Sequence, residues 1–241
     1  MQKDKCKHYC YKKFRKIKND SVKKMDKLKL VIFDMDGVLT DIYSSWKYVH
    51  NYFNSSNEKS LEAYLKGQID DLEFIRRDAS LWREDGRPIK KEKLVEILAN
   101  VPLMNGAGKC INFLKDKGIK TAIVSAGLDI LAERVGKELG IDIIYSNGIK
   151  VDDKGYLTNE GILNVKLMYK NEAIIKLAKI LGISLKRIAA VGNSCFDISM
   201  FEVCGVSIAF NPSDECTIKS AKYKVMKKDL SLILKIFEGY Y

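Results

Sequence analysis

The sequence predicts an α/β protein with a doubly wound parallel sheet and an inserted all-helical cap. Two observations support this prediction. From residue 28 onward, short apolar runs alternate with amphipathic helical patterns, which is typical of strands joined by parallel crossovers. Residues 41–105 interrupt the alternation with helical patterns only, so we expect them to form an insertion at one end of the sheet.

The first strand is predicted at residues 28–33, LKLVIF, directly before Asp34. Three amphipathic helices follow in the insertion, because YSSWKYVHNYF, IDDLEFIRRDASLW and KKEKLVEILANV carry apolar residues three or four positions apart. A helix in GAGKCINFLKDKG and a strand at 119–125 come next. LDILAERVGKELG then predicts a helix that ends at Gly140, since glycine favours the left-handed backbone found there.

The second half of the chain continues this alternation. IDIIYS is predicted as a strand, and IKVDDKGYLT as a hairpin that turns at Asp152–Gly155. The later helices are NEAIIKLAKILG, DISMFEVC and DLSLILKIF, and the later strands are RIAAVG, VSIAF and KYKVM. We therefore expect an α/β core of residues 25–40 and 106–241, a helical cap of residues 41–105, and a basic tail of residues 1–24.

The positive charge is concentrated in that tail. Residues 1–24 contain ten Lys/Arg and two acids, whereas the whole chain has a formal net charge of +11. The remainder is therefore nearly balanced, and nucleic acid is not expected as a partner except through the tail. We expect a solvated, flexible extension. The alternatives are contact with anionic lipid or a partner, a metal site at Cys6, His8 and Cys10, and a natural start at Met25.

Cysteine usage and hydropathy indicate a cytoplasmic protein. The six cysteines are scattered without a C-x-x-C pair, which favours reduced, packing cysteines over a disulfide framework. No uninterrupted apolar run reaches the ~18 residues that a membrane helix needs. The basic start also lacks the apolar stretch of a signal peptide.

The segment VIFDMDGVLTD, residues 31–41, contains the most informative pattern. Asp34 and Asp36 leave an extended backbone on the same side, where two carboxylates repel each other unless a cation or a proton lies between them. Gly37 allows a sharp turn directly afterwards. A calcium-binding or turn-forming acidic loop is the alternative, but such a loop would carry more acidic oxygens in sequence.

Three further segments place polar groups at predicted strand or helix ends. Ser125 follows the apolar run TAIV and could bind an anion together with the amides after it, or cap a helix. Lys170 precedes a helix and, taken alone, is typical of a solvated lysine. Asn193 and Asp197 follow the apolar run of residues 188–191. Because the carboxyl ends of parallel strands meet at one sheet edge, we expect these groups to converge.

Four segments of the chain resemble, in the same order, the four motifs of the haloacid dehalogenase-like (HAD) phosphohydrolases. They are DMDGVLT, VSAG, the lysine of KNEAIIKLAKILGI, and VGNSCFDISMF. Within that superfamily the chain is similar to phosphoserine phosphatases of archaeal type. The resemblance covers roughly residues 27–237. It implies a Rossmann-like core, a cap, and a Mg²⁺-dependent phosphomonoesterase.

The resemblance also implies a role for each matched residue. Asp34 would attack phosphorus and form an aspartyl-phosphate, and Asp36 would be the general acid and base. Mg²⁺ would be bound by Asp34, the Asp36 backbone carbonyl, Asn193 and Asp197. The insertion would close over a small phosphorylated metabolite. The phosphate itself would be bound by Ser125, the Ala126 amide and Lys170.

The metal side departs from the family pattern at one position. The fourth motif usually has an aspartate that binds the metal directly, and this chain has Asn193 there. We expect the loss of one negative charge to weaken Mg²⁺ binding by about 1–3 kcal/mol. The alternative is that a neighbouring group such as Asp197 restores full activity.

The cap departs as well. In phosphoserine phosphatases a glutamate reads the substrate amino group, and the corresponding position here is Tyr43. The arginine that reads the substrate carboxylate corresponds to Asp78, with Arg76 and Arg77 adjacent. The expected substrate is therefore O-phosphoserine or another small phosphomonoester, with Tyr43, Arg76 and Arg77 as candidate substrate residues. The aromatic residues that either line the pocket or form the core of the cap are Tyr43, Trp46 and Trp82.

The sequence is also compatible with a second class of function. A weakly active or non-catalytic HAD-fold binding or regulatory protein is supported by Asn193. The intact Asp34, Asp36, Ser125 and Lys170 favour the enzyme. Phosphoryl transfer to another alcohol is not separated from hydrolysis at this level, and the oligomeric state is not predicted.

Overall fold

The structure is a computed structural model that describes residues 27–240. Its strands are β1 (Leu30–Phe33), β2 (Arg83–Glu84), β3 (Arg87–Pro88), β4 (Lys120–Leu128), β5 (Ile143–Val151), β6 (Leu157–Ile162), β7 (Ile188–Gly192), β8 (Val206–Phe210) and β9 (Tyr223–Val225). Its helices are α1 (Ser45–Tyr52), α2 (Glu58–Leu65), α3 (Asp71–Ser80), α4 (Lys91–Ala99), α5 (Ala107–Asp116), α6 (Asp129–Leu139), α7 (Lys170–Leu181), α8 (Ile198–Val203), α9 (Glu215–Ser220) and α10 (Leu234–Phe237). The predictions for residues 1–24, including Cys6, His8 and Cys10, lie outside the described residues.

The main sheet has seven strands in the order β6-β5-β4-β1-β7-β8-β9. β6 runs antiparallel to β5, and the other neighbouring pairs run parallel. The strand order reverses at β1, because the chain builds outward from it on both sides. The doubly wound α/β sheet is therefore confirmed, with one antiparallel edge strand that comes from the predicted hairpin. Ligands bind at the carboxyl ends of strands where such a sheet reverses its order.

β1 is buried on both faces. Val31 and Phe33 pack into one apolar core and Leu30 and Ile32 into another, because alternate side chains of a strand point to opposite faces. Buried apolar side chains of α5 and α6 belong to the first core, and those of α7, together with Met200 and Phe201 of α8, belong to the second. Helices therefore cover both faces of the sheet and leave its edges and strand ends for the site.

Residues 41–105 are not all helical, so that part of the prediction is wrong. Four helices, α1 to α4, lie in this segment, but β2 and β3 form a short antiparallel hairpin between α3 and α4. Its turn contains Asp85 and Gly86, with φ of 48° and 75°. Asp-Gly is favoured in tight hairpin turns because both central residues need positive φ. That dipeptide was the signal in the sequence from which the hairpin could have been predicted. The boundaries of the cap and core domains remain predictions.

The structure also bears on the predictions for a helix end, the cysteines and membrane helices. α6 ends at Gly140, whose φ is 67°, as predicted. Among residues 27–240, the cysteines Cys110, Cys195, Cys204 and Cys216 form no disulfide. Within residues 27–240, no helix is both long and apolar enough to cross a membrane. The cytoplasmic location stays a prediction.

Candidate active site

The candidate site lies where β1 and β7 end, beside the last part of β4. Phe33 is level with Ile123 of β4 and with Val191 of β7. The next residue, Asp34, donates its backbone N–H to the Val191 carbonyl at 2.9 Å and so extends the pairing by one step. The Asp34 side chain is buried at this edge.

Lys170, the first residue of α7, binds two carboxylates here. Its Nζ lies 2.8 Å from Asp34 Oδ1 and 2.7 Å from Asp197 Oδ1. The residue is only 2% exposed, so the alternative of a solvated lysine is wrong. Burial lowers the pKa of Lys170, but the charges of Asp197 and Asp34 outweigh burial and raise it overall. Lys170 is therefore a buried cation at neutral pH.

Asp197 uses both of its oxygens in contacts with the protein. Oδ1 accepts from Lys170, and Oδ2 accepts the backbone N–H groups of Asn193 and Ser194 at 2.8 and 3.0 Å. The predicted helix start at Asp197 is a 3₁₀ turn, Cys195–Asp197, that leads into α8. The structure thus places Asp197 behind Lys170, with its oxygens already engaged.

Asp36 is held by the first turn of the cap. Its Oδ2 accepts from both the backbone N–H and the hydroxyl of Ser45, each at 2.7 Å, while its Oδ1 is buried without a partner. Burial raises the pKa of Asp36 to about 6, against the Ser45 hydrogen bonds that lower it. Sequence reasoning missed Ser45, because nothing in the helical pattern distinguishes it from a capping serine.

Ser125 and Ala126 lie in the last part of β4, which extends beyond the predicted end at residue 125. Ser125 is 2% exposed, and its hydroxyl accepts the Gly127 N–H at 3.2 Å and hydrogen-bonds Asp34. The Ala126 carbonyl accepts the Trp46 indole N–H at 2.9 Å. This end of β4 therefore contacts both the Asp34 side chain and the cap.

Asn193 lies beside the turn that follows Asp36. Gly37 has a φ of +77°, a conformation that favours glycine, and an added Cβ there would overlap the Asn193 side-chain amide. The Asn193 carbonyl also accepts the Ser213 N–H at 2.8 Å, which anchors the loop after β7. The side chain that replaces an aspartate thus lies against the Asp36–Gly37 turn.

The donor set at this edge fits a hard cation such as Mg²⁺. The Asp36 Oδ1 is buried and unpaired, and Asp34 and Asn193, whose side chains carry carboxylate and amide oxygens, line the same cavity. Burial raises the pKa of Asp34 and the Lys170 charge opposes it, so a bound cation would favour the ionised form. Across residues 27–240 no cluster of three or more His, Cys, Asp or Glu side chains is arranged to hold a metal. The candidate site has two carboxylates and one amide instead.

The cavity above this edge has a volume of about 560 Å³ and reaches from the core into the cap. Trp46 lines it, whereas Trp82 is fully buried in the core. Tyr43 also lines it but is 74% exposed, so it lies at the rim. His50 and Asp78 were not among the predicted site residues, yet both line the cavity.

The structure does not bring Arg76 and Arg77 to the cavity, which neither of them lines. Both pair with Glu73 on the outer face of α3, with Nε–Oε distances of 2.6 and 2.7 Å. The inward face of this helix is formed by Ile75, Asp78 and Ala79. A helix rotation that placed the arginines inside would expose this buried face, which explains why they point outward.

Comparisons with known proteins agree with this geometry. A family model described as haloacid dehalogenase-like hydrolase matches residues 28–205. A phosphoserine phosphatase of Methanocaldococcus jannaschii is 32% identical over 216 residues, covering 87% of this chain and 97% of that protein. A phosphoserine phosphatase of Wolinella succinogenes is 30% identical over 211 residues, covering 86% of this chain and 98% of that protein.

Solved structures show the same similarity. One described as a phospho-aspartyl intermediate analogue of phosphoserine phosphatase has a TM-score of 0.74 and 30% identity, and it covers 88% of this chain and 99% of that one. A substrate-bound phosphoserine phosphatase complex has a TM-score of 0.74 and 29% identity, with the same coverage. The likeness therefore extends over the sheet that positions the site.

Proposed function

The chain belongs to the haloacid dehalogenase-like hydrolase family and is a phosphoric monoester hydrolase, and we propose that it works through an aspartyl-phosphate on Asp34 with Mg²⁺ as cofactor. The observation that carries this proposal is the Lys170 contact. A buried ammonium 2.8 Å from the Asp34 carboxylate, at the reversal point of the sheet, provides positive charge where a phosphate would approach its nucleophile.

Asp34 is proposed as the nucleophile. One of its oxygens forms a bond to phosphorus as the bond from phosphorus to the substrate alcohol oxygen breaks, which leaves an acyl phosphate on the chain. Lys170 and the Ser125 hydroxyl, which contact Asp34 in the resting site, would bind the non-bridging phosphate oxygens together with the Ala126 amide.

Asp36 is proposed as the general acid and base. Burial raises its pKa to about 6, closer to neutrality than for an ordinary aspartate, which favours a carboxyl that can give a proton to the leaving alcohol oxygen. The same carboxylate, once ionised, would remove a proton from the water that attacks the phosphorus and releases Asp34. Ser45 holds the other oxygen of Asp36, which leaves the buried, unpaired Oδ1 for this proton.

Asp34, the backbone carbonyl of Asp36 and Asn193 would hold the Mg²⁺ in this proposal. Bound Mg²⁺ neutralises phosphate charge that would otherwise repel the Asp34 carboxylate. Asp197 was expected as a further ligand, but its oxygens bind Lys170 and the Asn193 loop. We propose that Asp197 positions Lys170 rather than the metal.

A small phosphomonoester is proposed as the substrate, bound between the sheet edge and the cap. The alternative of a non-catalytic binding protein is not favoured, because the relatives are phosphatases and the groups that chemistry needs meet in one cavity. Helices α1 and α3, with Tyr43 at the rim, provide the walls that would exclude water from the reacting phosphate.

A phosphate-release assay over small phosphomonoesters with Mg²⁺ tests this proposal. Asp34→Asn serves as the blank, and Asp153→Asn is the matched control, because Asp153 is an exposed aspartate outside the cavity. We expect release by the parent and by the control but not by the blank. Mass spectrometry of the parent after rapid acid quench should locate one phosphoryl group on Asp34. Release by the blank at the parent rate would contradict the nucleophile assignment.

A further inference from the structure

The cap half of the cavity contains a buried acid–histidine pair that the proposed chemistry does not use. His50 of α1 and Asp78 of α3 are 1% and 2% exposed, and both line the cavity. The His50 Nε2 lies 3.4 Å from Asp78 Oδ2, which also accepts from the Asn57 side-chain amide at 2.7 Å. Two cap helices and the loop between α1 and α2 thus converge on one carboxylate.

His50 Nδ1 has two hydrogen-bond partners, and neither of them is Asp78. The Trp82 indole, which can only donate, donates to His50 Nδ1 at 3.2 Å. Ser55 Oγ lies still closer to Nδ1, at 2.8 Å, so this side of the ring is held within the cap while Nε2 faces Asp78. Asp78 meets this ring through Oδ2, so its other oxygen, Oδ1, is not used by His50.

One oxygen of Asp78 has no partner. Its Oδ1 is buried in the cavity wall, and no donor of the described residues reaches it. Burial raises the pKa of Asp78, against the hydrogen bonds from His50 and Asn57 that lower it. A buried carboxylate oxygen without a donor is costly, and a ligand in the cavity that carries a donor would remove this cost.

The other charged residues in the cap half of the cavity also favour a positively charged ligand. Glu58 and Asp71 also line it, and among the described lining residues the lysines are Lys47 and Lys170. Lys170 is already bound to Asp34 and Asp197. Lys47 is exposed, with its Nζ 5.5 Å from the centroid of the Tyr43 ring. The cap wall therefore favours a positive group and disfavours a carboxylate.

We propose, resting on the phosphatase function proposed above, that this enzyme takes phosphorylated amino alcohols that lack a carboxylate, and that Asp78 Oδ1 binds the substrate ammonium. The phosphate would lie at Lys170 and Ser125, and the ammonium at the opposite end of the same cavity. A carboxylate on the same carbon as the amine would be forced toward Asp78, where like charges repel.

Phosphoethanolamine and O-phosphoserine test this proposal, because they differ only by a carboxylate. We expect kcat/KM for phosphoethanolamine to exceed that for phosphoserine by about tenfold or more. Glycerol phosphate, which offers hydroxyl donors without positive charge, should lie below phosphoethanolamine. p-Nitrophenyl phosphate with Mg²⁺ reports the basal phosphatase reaction separately.

Asp78→Asn is the matched variant, since it removes the charge and keeps an oxygen for Asn57 to donate to. The preference for phosphoethanolamine should fall toward unity, mainly through a higher KM for that substrate. Glu73→Gln on the outer face of α3 should keep the parent ratio, because Glu73 does not line the cavity. Unfolding midpoints of both variants check that they are folded.

Two outcomes would overturn the proposal. In the first, the enzyme cleaves p-nitrophenyl phosphate but cleaves phosphoserine as fast as phosphoethanolamine or faster, or cleaves neither of these two substrates. This result would reject the ammonium site and leave the phosphatase function standing. In the second, the parent prefers phosphoethanolamine and Asp78→Asn keeps the same preference. This result would show that Asp78 does not cause the preference. Failure to cleave any ester above the Asp34→Asn blank would instead reject the phosphatase function itself.

Discussion

Lys170 and Asp197 form a buried ion pair in which Nζ lies 2.7 Å from Oδ1. The two side chains are 3% and 0% exposed. Because Asp197 Oδ2 binds the backbone of Asn193 and Ser194, the pair joins the start of α7 to the loop after β7. It also holds the ammonium beside Asp34.

Loss of the Asp197 charge should destabilise the fold. Asp197→Asn leaves the buried Lys170 ammonium without its closest counter-charge and presents an amide N–H to backbone donors. We expect the free energy of unfolding to fall by about 3–5 kcal/mol, as when one partner of a buried ion pair is removed. Urea denaturation followed by circular dichroism measures it.

An exposed ion pair provides the control for this measurement. Glu160 Oε2 lies 2.9 Å from Lys150 Nζ, and both side chains are more than half exposed, at 67% and 58%. Glu160→Gln should change the free energy of unfolding much less, since solvent screens such pairs. Equal losses in the two variants would contradict a structural role for the buried pair.

Restoring a carboxylate at position 193 should strengthen metal binding. The Asn193 side chain lies against Gly37 and lines the cavity beside Asp34 and Asp36, so an aspartate fits the same space. We expect Asn193→Asp to lower the half-saturating Mg²⁺ concentration about tenfold, because it adds one negative charge to the ligand set. Mg²⁺ titrations of activity and of the unfolding midpoint measure this.

Asn100→Asp serves as the control, since Asn100 is exposed and lies outside the cavity. It should leave the Mg²⁺ dependence at the parent value. If Asn193→Asp has the parent half-saturating concentration as well, the amide already serves as a full ligand, and the expectation of a weakened site is wrong.

Ser45→Ala should impair the acid–base step. The Ser45 hydroxyl donates to Asp36 Oδ2 at 2.7 Å and accepts the Leu128 N–H at 3.1 Å. A hydrogen bond to a charged group contributes about 1.5–3 kcal/mol, so we expect kcat/KM to fall by roughly 10- to 100-fold. Steady-state kinetics on p-nitrophenyl phosphate measure the loss. Ser80→Ala, whose hydroxyl donates only to the Arg77 carbonyl, should retain parent kinetics.

Cys110 should be inert to alkylation in the folded protein. Burial raises the pKa of its thiol to about 12, so the reactive thiolate is scarce at pH 8, and the side chain is 0% exposed. Iodoacetamide at that pH should leave Cys110 unmodified until urea unfolds the chain, as peptide mass spectrometry would show. Rapid labelling of the native protein would instead indicate that α5 opens locally.

Several features of the cap could not be predicted from the sequence patterns. Asp78 and Arg76 are two positions apart on one amphipathic helix, and only the packing of Ile75 and Ala79 shows that Asp78 faces inward. The partners of Ser45 lie 9 and 83 residues away in the chain. Periodicity describes which residues share a face of one element, but it contains no information on what that face meets.

The sequence by itself determined the chain order of the main-sheet strands, the doubly wound sheet and the meeting of Asp34, Ser125 and Asn193 near one edge. This was possible because strand and helix patterns are local and parallel crossovers bring carboxyl strand ends together. Only the tertiary structure decided that Lys170 is buried between two carboxylates and that Asp78 faces the cavity. Those properties depend on the loss of water around each charge, which arises when separate elements pack against each other.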